Sequence, residues 1–285
     1  MNKHAYLIMA HNNFYCLEKL LLLLDDERND IFLHIDAKVK KFDFAKFQAL
    51  CQRARVIYPR KRINVKWGTQ SQVRTEILLF KTAAACGPYH YYHLISGVDL
   101  PLKTQDEIHA FFADKKSSYL FYKEQTSQWD YCRVSRYNIL VGKYGTTAKK
   151  IKDYWSLIQN KLAVDRARKH SMEIKKGANW GSFNQEAVNI LLYSVKSIMK
   201  LTRFSLCADE VYKQTILLHK GYQIENDDLR RIEWHGGNHP KVYKAEDFTQ
   251  LTQSDKLYAR KFDERVDQQI IDMIYEYVRQ KEGQS

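Results

Sequence analysis

Residues Tyr91–Thr104 read YYHLISGVDLPLKT, and this stretch decides the fold. Tyr91–Ile95 is a short run of aromatic and branched side chains, which suits a strand buried inside a sheet. The run stops at Ser96-Gly97. Glycine admits backbone angles that other residues avoid, and Pro101 fixes φ, withholds an N–H and pushes Leu100 towards extended geometry. The chain therefore leaves the sheet through a stiff turn that presents Ser96 and Asp99 at a strand's carboxyl end, where open α/β sheets bind ligands. A purely structural tight turn accounts for the same residues equally well.

Upstream, strand and helix patterns alternate. Ala5–Ala10 (AYLIMA) reads as a buried first strand, ended by His11-Asn12-Asn13, and Phe14–Leu24 has helical periodicity. Ile31–Asp36 (IFLHID) is a second strand with Asp36 at its end, Phe44–Arg53 a helix, and Val56–Tyr58 a third strand. Ser71–Cys86 is a helix with Val73, Ile77, Phe80 and Ala84 on one face. Such alternation predicts the α/β class with a mainly parallel sheet.

Downstream the pattern changes. Gln105–Phe112 reads as a short helix, Tyr119–Tyr122 as a strand, and Gln185–Met199 and Val211–Leu218 as helices. Asp263–Lys281 reads as a tail helix with Ile270, Ile274 and Val278 on its apolar face. Residues 142–176 hold ten Lys/Arg against three Asp/Glu, a net +7. Ile151, Trp155, Ile158 and Leu162 follow helical spacing there, which makes a basic amphipathic helix. Its stripe packs on the core or meets a membrane surface, and one segment can do both.

The chain has 285 residues, enough for one large core, and a net charge of +13 that calls for an anionic partner. Nucleic acid, phospholipid headgroups and nucleotide diphosphates qualify; nucleic acid leaves Asp36, Asp99 and Glu210 without a role and is not expected as a partner. Five widely spaced cysteines without a C-x-x-C pair, and no signal-peptide or membrane-spanning pattern, predict a cytoplasmic protein. Phosphate-cradling glycine motifs and Asp-x-Asp are absent, so bound phosphate is expected to meet Lys and Arg instead of a metal. Lys241, Lys256, Arg260 and Lys261 are the candidates, or simply solvated surface. Glu210 follows an apolar approach (Leu206–Ala208) to a helix start, a setting for a general base or merely for a helix-favouring carboxylate. Trp67, Trp180 and Trp234 stand beside glycine or a break in periodicity, as flat walls for a sugar ring or base, or as core filler.

Seven stretches, in order, carry a resemblance: AYLIMAHN from Ala5, FLHIDAK from Phe32, SQVRTEILLF from Ser71, HLISGVDLPLKT from His93, NWGSFNQEAV from Asn179, ADEVYKQTIL from Ala208 and ARKFD from Ala259. Together they resemble the core-2/I-branching β-1,6-N-acetylglucosaminyltransferase and peptide O-xylosyltransferase family, glycosyltransferase family 14. The resemblance implies a GT-A fold spanning 1–285 as a single domain. Its least similar part, about 123–176, would be an acceptor-side insertion, and about 263–285 a helical tail. It implies inverting, metal-independent transfer from a UDP-sugar, with no cofactor, to a glycan or lipid-linked oligosaccharide acceptor. Glu210 falls on the catalytic base. Asp36 matches a uridine-binding aspartate, and Met9, Trp67, Lys241, Arg260 and Lys261 fall on the donor side. Ser96, Asp99, Arg133, Trp180 and Trp234 fall on the acceptor side. Animal members carry an N-terminal membrane anchor and disulfides, which this sequence lacks. A bacterial-type enzyme of surface polysaccharide or lipooligosaccharide synthesis is therefore expected, held peripherally on the inner membrane face by its basic segment. GlcNAc is the first expected sugar, with xylose and glucose as alternatives.

Overall fold

The computed structural model describes residues 2–143, 145–234, 236 and 239–283. Through the first hundred residues strand and helix alternate: β1 (His4–Ala10), α1 (Phe14–Leu23), β2 (Asn29–Ile35), α2 (Phe44–Ala49), β3 (Arg55–Ile57), α3 (Gln70–Ala84) and β4 (Tyr91–Ser96). β1 lies between β2 and β4, parallel to both, and β3 extends the sheet parallel to β2. Every residue of β2 and β4 is buried, including the polar Asp30, His34 and His93 between their apolar neighbours. Side chains alternate along β1: Tyr6 and Ile8 join a core containing Leu17 and Ile270, whereas Ala5 and Leu7 join one containing Val73 and Ile216.

Beyond β4 the chain forms β5 (Asp99–Pro101), α4 (Gln105–Phe112), β6 (Ser118–Tyr119), α5 (Gln128–Ser135) and α6 (Thr146–Lys161). It continues through β7 (Gly181–Asn184), α7 (Gln185–Tyr193), α8 (Val195–Thr202), α9 (Tyr212–His219), β8 (Ile224–Glu225) and β9 (Arg230–Ile232). α10 (Phe248–Thr252), β10 (Tyr258–Arg260) and α11 (Gln269–Glu282) complete it. Among the described residues the larger sheet has the order β3-β2-β1-β4-β7-β6-β8, with β7 antiparallel to its neighbours, and β5-β10-β9 form a small second sheet. This is the helix-flanked, mainly parallel α/β architecture expected for a GT-A fold. No helix among the described residues is long and apolar enough to cross a membrane.

Several local expectations change. α2 ends at Ala49 because the Asp25 carboxylate accepts the N–H groups of Gln52, Arg53 and Ala54 at 2.8–2.9 Å, fixing them outside a helix. The strand read over Tyr119–Tyr122 is shorter, leaving one isolated bridge from Tyr122 to Gly177. Ala83, not Ala84, completes the buried face of α3, and Glu76 is buried with it. Gly97 is required for room and not for an unusual φ: a Cβ there would lie 2.7 Å from the Ala10 Cβ. In α6 the apolar stripe does not pack on the core, since Gln159 is its single buried residue and Ile151 and Leu162 are exposed.

Candidate active site

A cleft of about 740 Å³ opens at the carboxyl ends of β1, β2 and β4. Met9–Asn12, His34, Asp36 and Ser96–Val98 line it there because parallel strands deliver their final side chains to one edge. Asp36 is held by its own turn: its Oδ1 accepts the Lys38 N–H at 2.8 Å, and the Lys38 ammonium lies 3.4 Å from Oδ2. Arg62 fixes the same turn by donating to the carbonyls of Ile35, Asp36 and Val39. Burial lowers the His34 pKa to about 4, so at neutral pH its ring is uncharged and Nε2 accepts the Ile63 N–H at 2.9 Å.

Asp99 lies fully buried behind the cleft wall. Its carboxylate accepts the Ser96 N–H at 2.8 Å and the Ser96 hydroxyl at 2.7 Å, and the Arg260 guanidinium donates to it at 2.8 Å. Arg260 reaches Asp99 because β10 pairs antiparallel with β5 in the register Arg260↔Asp99. The guanidinium lines the cleft and lies over the Trp180 ring, 4.9 Å from its centroid.

The opposite wall carries two adjacent carboxylates. Asp209 and Glu210 form a short 3-10 turn before α9, and neither caps a helix through its side chain. Glu210 is part-exposed. Arg133 Nη2 donates to its Oε2 at 2.8 Å, Lys176 Nζ lies 3.8 Å from the same oxygen, and Oε1 has no hydrogen bond among the described residues. Asp209 is buried, and that burial, with Glu76 and Glu210 nearby, pushes its pKa up to about 7. Beneath it the fully buried Lys213 donates to Glu76 at 2.7 Å, to Asn179 at 2.8 Å and to the Asp209 carbonyl at 2.8 Å. Gly177 lets the chain pass this point: its N–H donates to the Glu210 carbonyl at 2.8 Å, and a Cβ there would lie 2.0 Å from the Phe121 carbonyl oxygen.

Of the residues singled out in the sequence, the cleft collects Met9, Asp36, Trp67, Ser96, Trp180, Glu210, Trp234, Lys256 and Arg260. It does not collect Asp99, Arg133, Lys241 or Lys261. Arg133 is almost fully buried, with its guanidinium occupied by Asp130, the Leu206 and Cys207 carbonyls, and Glu210, so it positions Glu210 and does not line the cleft. Lys241 is drawn away by Asp247 and Glu233. Lys261 follows Arg260 outside the lining; burial, followed by Arg260, lowers its pKa. Sequence reasoning missed Lys176, Phe121 and Asn226–Asp228, which also line the cleft. It missed the Glu76–Lys213 pair too, whose signal was a charge on each of two otherwise apolar helix faces.

Among solved structures, the crystal structure of apo mouse xyloside xylosyltransferase 1 is similar over 91% of this chain and 97% of that chain, at 10% identity and a TM-score of 0.41. No curated protein sequence matches. The core-2/I-branching enzyme family model matches residues 4–254, a span that includes both Asp36 and Glu210. The chain therefore belongs to the core-2/I-branching enzyme family and is a glycosyltransferase.

Proposed function

We propose that the protein moves a sugar, GlcNAc in the first instance, from a UDP-sugar to a hydroxyl of a glycan acceptor in a single inverting displacement. The observation that carries this reading is Glu210, held in the cleft by one oxygen while the other carries no hydrogen bond among the described residues. Glu210 Oε1 takes the acceptor hydroxyl proton, the acceptor oxygen bonds to the anomeric carbon, and the bond from that carbon to UDP breaks. Asp36 receives the uridine beside Met9 and Trp67. Arg260, aimed by Asp99, meets the charge gathering on the leaving diphosphate, so no metal is needed in this scheme. Lys261 and Lys241 stand behind it, and Lys241 must leave Asp247 to take part. Trp180 and Trp234 offer ring faces to the acceptor.

In this reading residues 1–285 act as one GT-A domain, with 123–176 as the acceptor-side insertion and 263–285 as the tail. The setting is bacterial surface polysaccharide or lipooligosaccharide synthesis in the cytoplasm, with a lipid-linked acceptor and peripheral contact with an anionic membrane. UDP-xylose and UDP-glucose are the alternative donors. Thermal stabilisation by a panel of UDP-sugars, followed by turnover with and without EDTA, tests donor and metal together. Glu210→Gln is expected to lose about 10²–10⁴-fold in rate while UDP still stabilises it. Near-full turnover by that variant removes Glu210 from the mechanism.

A further inference from the structure

Helix α6 is built inside out. Ala148, Lys152, Trp155 and Gln159 point inward, and polar contacts attach three of them: Trp155 Nε1 donates to the Tyr137 carbonyl at 2.8 Å, Gln159 Oε1 accepts the Tyr137 N–H at 2.7 Å, and Lys152 Nζ donates to the Lys143 carbonyl at 2.7 Å. Apart from Trp155 and the half-buried Ile158, the large apolar side chains face water instead: Ile151 is 46% exposed, Tyr154 68%, Leu157 59% and, just past the helix, Leu162 70%. At helical spacing these four share an arc of about 140° with the exposed Lys150 and Lys161. A surface helix ordinarily turns such a stripe to its own core.

We propose that this face lies on an anionic lipid bilayer, with Ile151, Tyr154, Leu157 and Leu162 sunk among the headgroups and Lys150 and Lys161 on the lipid charges. This deepens the membrane contact proposed above by giving it a surface. Charge selects the occupant. Residues 142–176 carry ten Lys/Arg against three Asp/Glu, so a second copy brings like charge against like, whereas a phosphatidylserine surface neutralises it. Size agrees, since a stable dimer needs about 20–30 residues a side and this face offers one helix's stripe, enough for an interfacial helix. Placement also agrees: Tyr137, which receives Trp155, follows α5, whose Arg133 holds Glu210, so the docking helix is anchored to the segment that positions a carboxylate of the cleft.

The test is co-sedimentation of the whole chain with vesicles of phosphatidylcholine alone or mixed with phosphatidylserine, without donor or acceptor. The parent is expected to bind the mixed vesicles and leave the neutral ones. Lys150→Gln with Lys161→Gln should weaken binding about 10–30-fold. Tyr154→Ser with Leu157→Ser should weaken it at least tenfold, by roughly the transfer free energy of two part-buried side chains. These residues are exposed, so an unchanged melting transition verifies the fold of each variant. Absence of parent binding to the mixed vesicles, or parental binding by both variants, overturns the proposal. So does a dimer in sedimentation equilibrium that Leu157→Ser dissociates, because the face then belongs to a second copy. UDP stabilisation is read on the same samples, so failure of the transfer reading and failure of membrane docking are separate results.

Discussion

Arg133 grips Glu210 by one oxygen: Nη2 lies 2.8 Å from Oε2, across 77 residues of sequence. A carboxylate held this way keeps a fixed direction and an open lone pair, which an exposed glutamate in water lacks. The Arg133 guanidinium is itself immobilised by Asp130 and two backbone carbonyls, so the direction is built in before substrate arrives.

Arg133→Ala should therefore lower kcat about 10–100-fold with little change in donor KM, and the same change in a Glu210→Gln background should cost far less. A four-enzyme cycle measures this. Additive losses would mean that Arg133 acts on something other than Glu210.

Asp99 and Arg260 form a separate prediction. Asp99→Asn removes the buried charge that aims Arg260 and should cost about 2–4 kcal/mol of stability, seen in urea denaturation. It should also weaken UDP binding roughly tenfold, because Arg260 no longer has one preferred direction. Calorimetry with UDP reads the second effect. Unchanged UDP affinity would separate Arg260 from the diphosphate.

Acid should loosen the sheet at its other end. His4 stacks on His109 with centroids 3.9 Å apart and hydrogen-bonds His93 at 3.1 Å. Burial lowers all three pKa values from 6.5: His4 to about 2, His109 to about 4, and His93 far down. Below about pH 6.5 the unfolded chain takes up three protons that the folded chain refuses, so folding stability falls as pH drops towards 4. Each proton contributes about 1.4 kcal/mol per pH unit. Asp209 works the other way: its folded pKa of about 7 lies above its ordinary 3.8, so it favours the folded state as pH falls through that window. With His34, which burial also lowers to about 4, four histidine protons oppose the one from Asp209, so the net slope from these groups should be about three protons, or roughly 4 kcal/mol per pH unit. Urea midpoints at neutral and mildly acidic pH test the sign, and His109→Gln should reduce the slope by about one proton.

Much of this molecule is legible in its sequence. β1, β2 and β4 are almost wholly buried with centres rich in branched and aromatic residues, and α4 starts where Thr104 and Glu107 cap each other's N–H. Asp36 and Trp67 lie on segments that the α/β alternation sends to one edge of the sheet, whereas Glu210, Trp180 and Trp234 reach the same cleft from the later part of the chain and were marked by their local sequence alone. The inward turn of Asp99 and Arg133 was not legible, because each is set by a charge 161 or 77 residues away. Lys241 looked like a phosphate cation by position, yet Asp247, six residues on, decides where it points. For α6 the periodicity grouped Ile151, Trp155, Ile158 and Leu162, but Trp155 turns inward to the Tyr137 carbonyl and Ile158 is half-buried, while Tyr154 and Leu157 join Ile151 and Leu162 on the exposed side.

The pairing of β5 with β10 also sets a clock on synthesis. All seven strands of the larger sheet, with the edge that carries Asp36, have been translated by Glu225. The nascent chain still lacks Arg260, so Asp99 waits in the growing fold as a carboxylate without its counter-charge. A chain stalled on the ribosome before β10 thus carries Glu210 and Asp36 but not the Arg260 guanidinium of the cleft. The cleft is completed late, when a segment from the last tenth of the chain closes onto one from the first half.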